Sequence, residues 1–206
     1  MTEHAIEALP RAQSGVAHQR LRIAMIIGST RTGRFGPTVA DWVAGRIHRR
    51  RDLDLDTIDL ATAGLPDRLT DPTPAPVREI GQRVAAADAF IVVTPEYNGS
   101  FPAALKNAID WFDVEWAAKP VTVVSYGRDS DGSRATAQLR QIFGELDAVQ
   151  IRRTVPITRA WQRFAADGSW PRRDPELEAA VCAAVDQLIW WATALRAARA
   201  RDAFVF

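Results

Sequence analysis

The sequence predicts an α/β protein built on a doubly wound parallel sheet, and three observations carry that prediction. Apolar runs rich in β-branched residues at 21–27, 89–93 and 121–125 suit strands buried on both faces. Stretches with apolar residues at helical spacing lie between the strands, so that strand and helix alternate five times along the chain. Each of these strands runs into a polar loop, and in such sheets ligands sit at the carboxyl ends of strands.

The first strand, 21–27, leads into Gly28-Ser29-Thr30-Arg31-Thr32-Gly33-Arg34-Phe35-Gly36-Pro37, and a helix is expected from about 38 to 50. Glycine permits tight turns and close backbone approach. The hydroxyls of Ser29, Thr30 and Thr32, the forks of Arg31 and Arg34, and the free amides of the next helix together form a candidate phosphate cradle. An ordinary glycine-rich turn is the alternative. The P-loop is excluded because Gly33 is followed by Arg34-Phe35 and not by Lys-Ser/Thr, and the dinucleotide fingerprint fails because Gly28 and Gly33 stand too far apart. Without that lysine nothing points to ATP hydrolysis, and a single terminal phosphate fits better.

The alternation of acidic and apolar residues over 54–59 predicts a second, more exposed strand. Gly64, Pro66, Pro72, Pro74 and Pro76 then punctuate a connection that cannot be regular helix, and a helix over about 77–86 follows. Pro95 has no amide to donate and stops the strand at 89–93. Behind it come the polar loop 96–100 and a helix carrying Leu105, Ala108, Ile109 and Phe112 on one face. The aromatic segment at Trp111 and Trp116 reads as core or as a subunit contact. The strand ending at Ser125 opens into Tyr126-Gly127-Arg128-Asp129-Ser130-Asp131-Gly132, with Ser133 as the expected helix cap. One last strand is expected over 148–157 and a long loop over 158–174, of the length that serves as a lid, a subunit contact or a mobile segment. Pro175 opens a final helix whose apolar face runs through Leu177, Val181, Val185, Leu188, Trp191 and Leu195. If the strand order is 2-1-3-4-5, the loops at 28–37, 95–100 and 126–132 converge on one crevice at the switch point.

Composition narrows the function classes. Lys+Arg total 26 against Asp+Glu 25, a net charge of +1, which gives no electrostatic reason to expect a nucleic-acid or membrane-surface partner. No apolar run approaches the roughly 20 residues of a membrane span. Cys182 is the sole cysteine, so no intrachain disulfide is possible; a cytoplasmic protein is expected. Residues 1–20 lack a signal-peptide core and read as a flexible polar extension ahead of a single domain over 21–206.

Three blocks together resemble the NAD(P)H-dependent FMN reductase family, which has a flavodoxin-like fold and includes chromate, quinone and azo-dye reductases. They are Gly28-Ser29-Thr30-Arg31 with Gly33-Arg34-Phe35-Gly36-Pro37, Thr94-Pro95-Glu96-Tyr97-Asn98, and Leu105-Lys106-Asn107-Ala108-Ile109-Asp110-Trp111. The resemblance spans about 21–195. It implies that Ser29 and Arg31, with the backbone of Arg34, Phe35 and Gly36, hold the phosphate of FMN. It places Pro95, Glu96, Tyr97 and Asn98 along an edge of the isoalloxazine, and Ser125, Tyr126 and Gly127 at its pyrimidine end. The implied reaction is ping-pong transfer from NADPH or NADH through FMN to a small-molecule acceptor, in a homodimer or homotetramer. The acceptor is either a quinone, azo dye or metal oxyanion, or free flavin for a partner monooxygenase.

Rival chemistries find little support. A hydrolytic triad would have to use His4, His18 or His48, and no Gly-x-Ser-x-Gly elbow is present. Three scattered histidines and one cysteine offer no metal-ligand spacing. Cys182, within the apolar stretch 179–184, reads as a packed thiol, and Glu96 as structural. A flavin-binding electron carrier or regulator without NAD(P)H turnover stays open as the alternative; direct NAD(P)H oxidation separates the two.

Overall fold

The computed structural model describes residues 20–128, 130–164 and 174–205. The polar extension ahead of residue 21 and most of the 158–174 segment lie outside the described residues. Strands β1 (Leu21–Ile27), β2 (Leu53–Asp59), β3 (Ala89–Pro95), β4 (Pro120–Gly127) and β5 (Val149–Gln150) lie in the order β2-β1-β3-β4-β5, and every pairing is parallel. This is the flavodoxin-like order. β3 is buried along its whole length. Pro95 is its last residue, paired with Tyr126, and the ladder's next bond runs from the Glu96 amide to the Tyr126 carbonyl at 2.8 Å.

The single strand expected over 148–157 is interrupted. β5 and β6 (Val155–Thr158) both pair with β4, and between Gln150 and Val155 the chain uses two residues more than a regular ladder would. The polar run Arg152-Arg153-Thr154 leaves the pleat there, and the Thr122 hydroxyl donates to the Arg153 carbonyl at 2.9 Å. The carboxyl end of this edge is thereby set by β6.

Alternate residues of each strand face opposite layers. Ile23, Met25 and Ile27 pack with Val39 and Val43 of α1 (Gly36–Ile47) and with Val181 and Leu188 of α6 (Pro175–Arg201). Ala24 and Ile26 face Ile80 and Val84 of α2 (Ala75–Ala86), Leu105 of α3 (Ala103–Asp110) and Leu139 of α4 (Ser133–Glu145). A short helix, α5 (Ala160–Arg163), joins the α1–α6 layer. Pro175 does open α6, capped by the Asp174 side chain, which accepts from the Leu177 amide.

Of the two readings of the aromatic segment, Trp116 takes the core one: it is 1% exposed, with ring centroids 4.6 Å from Phe90 and 5.6 Å from Phe143. Two local expectations are corrected. Ser133 does not cap α4; Gly132 (φ 81) takes that position, and the Ser133 amide donates to Asp131 Oδ1 at 2.9 Å. Cys182 is exposed, not packed, since Val181 and Val185 occupy the buried face of α6 and the residue after Val181 turns outward. Among the described residues no helix is long and apolar enough to cross a membrane.

Candidate active site

The carboxyl ends of β1, β3, β4 and β6 surround a cavity of about 430 Å³. Of the residues singled out from sequence, Arg31, Arg34, Phe35, Pro95, Glu96, Tyr97, Tyr126 and Gly127 line it. Ser29, Gly36, Asn98 and Ser125 stand behind or beside the walls, and Gly33, Arg128 and Trp161 join the lining, the first two from loops expected at the crevice though not assigned a contact there.

The β1 loop delivers the start of α1 to this cavity. Phe35 is the N-cap residue and offers no side-chain acceptor; among the described residues no other side chain accepts from the first turn, which also carries no acidic residue. A helix leaves its first amides without intrahelical partners, and here Pro37 removes one of them. Gly36 sits where the backbone runs close to its neighbours: a Cβ there would stand 2.5 Å from Ser29 Oγ, 2.8 Å from Ile27 Cγ2 and 3.1 Å from the Tyr126 oxygen. Ser29 is fully buried, and the Tyr126 hydroxyl donates to it at 3.3 Å. Burial pushes the Tyr126 phenol up to about 12, so it stays a neutral donor.

Arg34 does not extend across the cavity. Its fork grips Asp59 at 2.6 and 2.5 Å and also donates to the Ser29 carbonyl at 2.8 Å. Burial opposes the charge of Asp59, but the bonds from Arg34 and from the Ala61 amide outweigh it and hold the carboxyl below its usual range. The hydrogen bond to Asp59 in turn raises the Arg34 pKa. The pair ties the β1 loop to the end of β2. Sequence reasoning missed Asp59, although its place beside β1 follows from the strand order.

The β3 loop is a tight hairpin. Tyr97 and Ser100 exchange backbone bonds at 2.8 and 2.9 Å across Asn98 (φ 51) and Gly99 (φ 79). Two consecutive left-handed residues make a type I′ turn, for which Asn-Gly is the favoured pair. Asn98 therefore shapes the loop, and its exposed side chain does not line the cavity. The Glu96 carboxylate turns away to α4, where Oε2 accepts from the Arg134 amide at 3.1 Å and Oε1 lies 3.6 Å from the Arg134 guanidinium. Ser125 is buried and donates to the Asp131 carbonyl at 2.8 Å, folding the β4 loop back on itself.

The last wall comes from α5. Phe164 packs edge-on against Phe35, ring centroids 5.2 Å apart, and against Trp42 at 6.2 Å. Ala160 is fully buried, while Trp161 stays 44% exposed at the cavity. No periodicity signals that wall, because it depends on the chain crossing back from the far edge of the sheet.

The family described as NADPH-dependent FMN reductase matches residues 21–162, a span that contains every lining residue of this cavity. The chain belongs to that family. An NAD(P)H-dependent FMN reductase of Schizosaccharomyces pombe is 36% identical over 146 residues, covering 66% of this chain and 71% of the relative. The quinone reductase of Escherichia coli K12 is 33% identical over 138 residues, or 64% and 73% of the two chains. Among solved structures, FerB of Paracoccus denitrificans, a flavoenzyme NAD(P)H:(acceptor) oxidoreductase, is similar with a TM-score of 0.67 at 26% identity, over 84% of this chain and 97% of that one. This FMN reductase family member is an NAD(P)H-dependent flavin oxidoreductase with FMN as its cofactor.

Proposed function

We propose that the α1 end of the cavity holds the phosphate of FMN and that the open side passes electrons from NAD(P)H to a small planar acceptor of the quinone class. The uncapped start of α1 carries this reading. It offers positive backbone groups at a glycine that keeps Cβ atoms out, beside Arg31 and above the buried Ser29. Amides, hydroxyls and a guanidinium are the donor set a dianionic phosphate takes. In this reading Ser29, Arg31 and the backbone of Arg34, Phe35 and Gly36 bind the phosphate. Pro95, Glu96, Tyr97 and Asn98 border the ring system mostly through their backbone groups, and Ser125, Tyr126 and Gly127 its pyrimidine end.

When bound, FMN supplies the redox chemistry, so the protein needs no nucleophile of its own. The side chains of Phe35, Tyr97, Tyr126 and Trp161 exclude water and align a flat reactant, and nearby backbone amides stabilise developing negative charge. The quinone reductase relative supports the acceptor class. A homo-oligomer in the cytoplasm completes the reading, supported by the family resemblance and by the single cysteine.

The test is the visible spectrum of the protein with FMN, taken anaerobically before and after NADH or NADPH, then after a benzoquinone. Bleaching by the dinucleotide and full recovery on adding quinone is the expected result, and the faster dinucleotide identifies the donor. Flavin that binds but never bleaches would replace this reading with an electron carrier. Reduced flavin that leaves the protein before quinone turnover would assign it to supplying a partner monooxygenase. No bound flavin would end the reading.

A further inference from the structure

Two side chains lining the cavity lie outside the phosphate assignment: Arg128, just past β4, and Trp161 on α5. The geometry points to an acceptor subsite in which the Trp161 indole stacks on a planar aromatic ring while the Arg128 guanidinium pairs with an ionised acidic group on that ring. The inference rests on the FMN reading of the same cavity.

Arg128 is singled out by what the other charges are doing. Arg34 is committed to Asp59, and Arg31 stands on the phosphate loop beside α1. Glu96 and Asp131 both turn to amides of α4. Among the described residues no hydrogen bond or ion pair engages Arg128, which is exposed on the cavity wall. It follows β4 whereas Arg31 follows β1, so the two cations reach the cavity from different strands. A guanidinium presents a planar fork to a carboxylate, sulfonate or enolate.

Trp161 is on a fixed mount. Ala160 is buried beneath it, Phe164 is wedged against Phe35 and Trp42, and Arg163 bonds to the Thr158 carbonyl at 3.0 Å and pairs with Asp174. A large apolar ring held 44% exposed on a cavity wall presents a ready stacking face. The reaction served is balanced by the family's own donor: NAD(P)H, a proton and a quinone give NAD(P)⁺ and a hydroquinone.

The experiment compares 1,4-naphthoquinone with its 2-sulfonate as acceptors for the FMN-loaded enzyme. The wild type is expected to favour the sulfonate by about tenfold in kcat/KM, a preference that shrinks with added salt. Arg128→Gln should bring the ratio near unity while leaving the neutral quinone unaffected, and Arg128→Lys should restore part of it. Trp161→Ala should raise KM for both acceptors by about tenfold, with Trp161→Phe restoring most of the loss. Independently of turnover, naphthalene-2-sulfonate binding to the oxidised protein, followed by flavin absorbance, should weaken in both Arg128→Gln and Trp161→Ala while FMN affinity holds within about twofold. An acceptor ratio that Arg128→Gln leaves intact overturns the inference, and a raised KM for NADPH in that variant would give the guanidinium to the dinucleotide instead. Loss of FMN affinity in Trp161→Ala overturns it too, by making the indole part of the cofactor site. A wild type that binds no FMN fails the proposed function itself, whereas one that binds FMN and shows no sulfonate preference fails only here.

Discussion

Of the helices that follow strands at the carboxyl edge of the sheet, α1 and α4 finish their first turns in opposite ways. At α4, Asp131 accepts from the Ser133 amide at 2.9 Å and Glu96 from the Arg134 amide at 3.1 Å. At α1, among the described residues, no side chain accepts. Both ends present the same positive pole of a helix. One is neutralised by the protein's own carboxylates and the other faces a cavity, so of these two only α1 is left for the anion of a ligand.

The contrast breaks most completely at Gly36. A methyl group there must displace Ser29, Ile27 and Tyr126 together. Gly36→Ala should cost roughly 1–3 kcal/mol of stability and about a hundredfold in FMN affinity by equilibrium titration. Affinity that survives this change would place the phosphate elsewhere. Arg31→Ala comes next, with FMN binding about tenfold weaker and the fold retained by circular dichroism. Its mirror at the closed end, Arg134→Ala, should leave FMN affinity within about twofold. Equal effects from the two arginines would dissolve the distinction between the helix ends.

Asp131→Ala sharpens the same contrast from the other side. Removing this cap should cost about 1 kcal/mol, a melting shift of roughly 2–4 °C, with little change in FMN binding. The hydrogen bond from Ser133 holds the Asp131 carboxyl below its ordinary 3.8, so its contribution is present above that pH and fades as acid protonates the folded state. The smallest effect at neutral pH belongs to Tyr126→Phe, which gives up one long bond worth about 0.5 kcal/mol. In alkali the variant should separate from the wild type. Burial pushes the Tyr126 phenol up to about 12 from an ordinary 10.0, so wild-type stability is lost as pH rises through that window. The phenylalanine variant lacks this fall, and urea titrations at pH 9 and 11 would measure the difference.

The sheet and its order were legible because buried strands write themselves as apolar β-branched runs, and 89–93 is the plainest of them. The loops were legible where glycine, proline and hydroxyl residues cluster. Roles within the loops were less so. Asn98 reads from sequence as bordering the flavin mostly through its backbone, and turn chemistry explains why an asparagine stands there. Arg34 reads as a phosphate ligand, yet Asp59, distant in sequence, engages its fork. Asn107 and Trp111, part of the family resemblance, both donate to the Pro66 carbonyl, at 2.8 and 3.2 Å, and pin the proline-rich connection. Trp161 was legible only as part of a long loop of the kind that serves as a lid, because no local pattern encodes that a short helix there lands on the cavity.

The ring contact between Phe35 and Phe164 also has a temporal side. Phe35 emerges early in synthesis and Phe164 late, after every strand of the sheet has left the ribosome. The phosphate loop can acquire its local backbone long before its outer wall exists. The wall is therefore complete only once α5 has joined the α1–α6 layer, and a chain cut before residue 160 should hold FMN poorly.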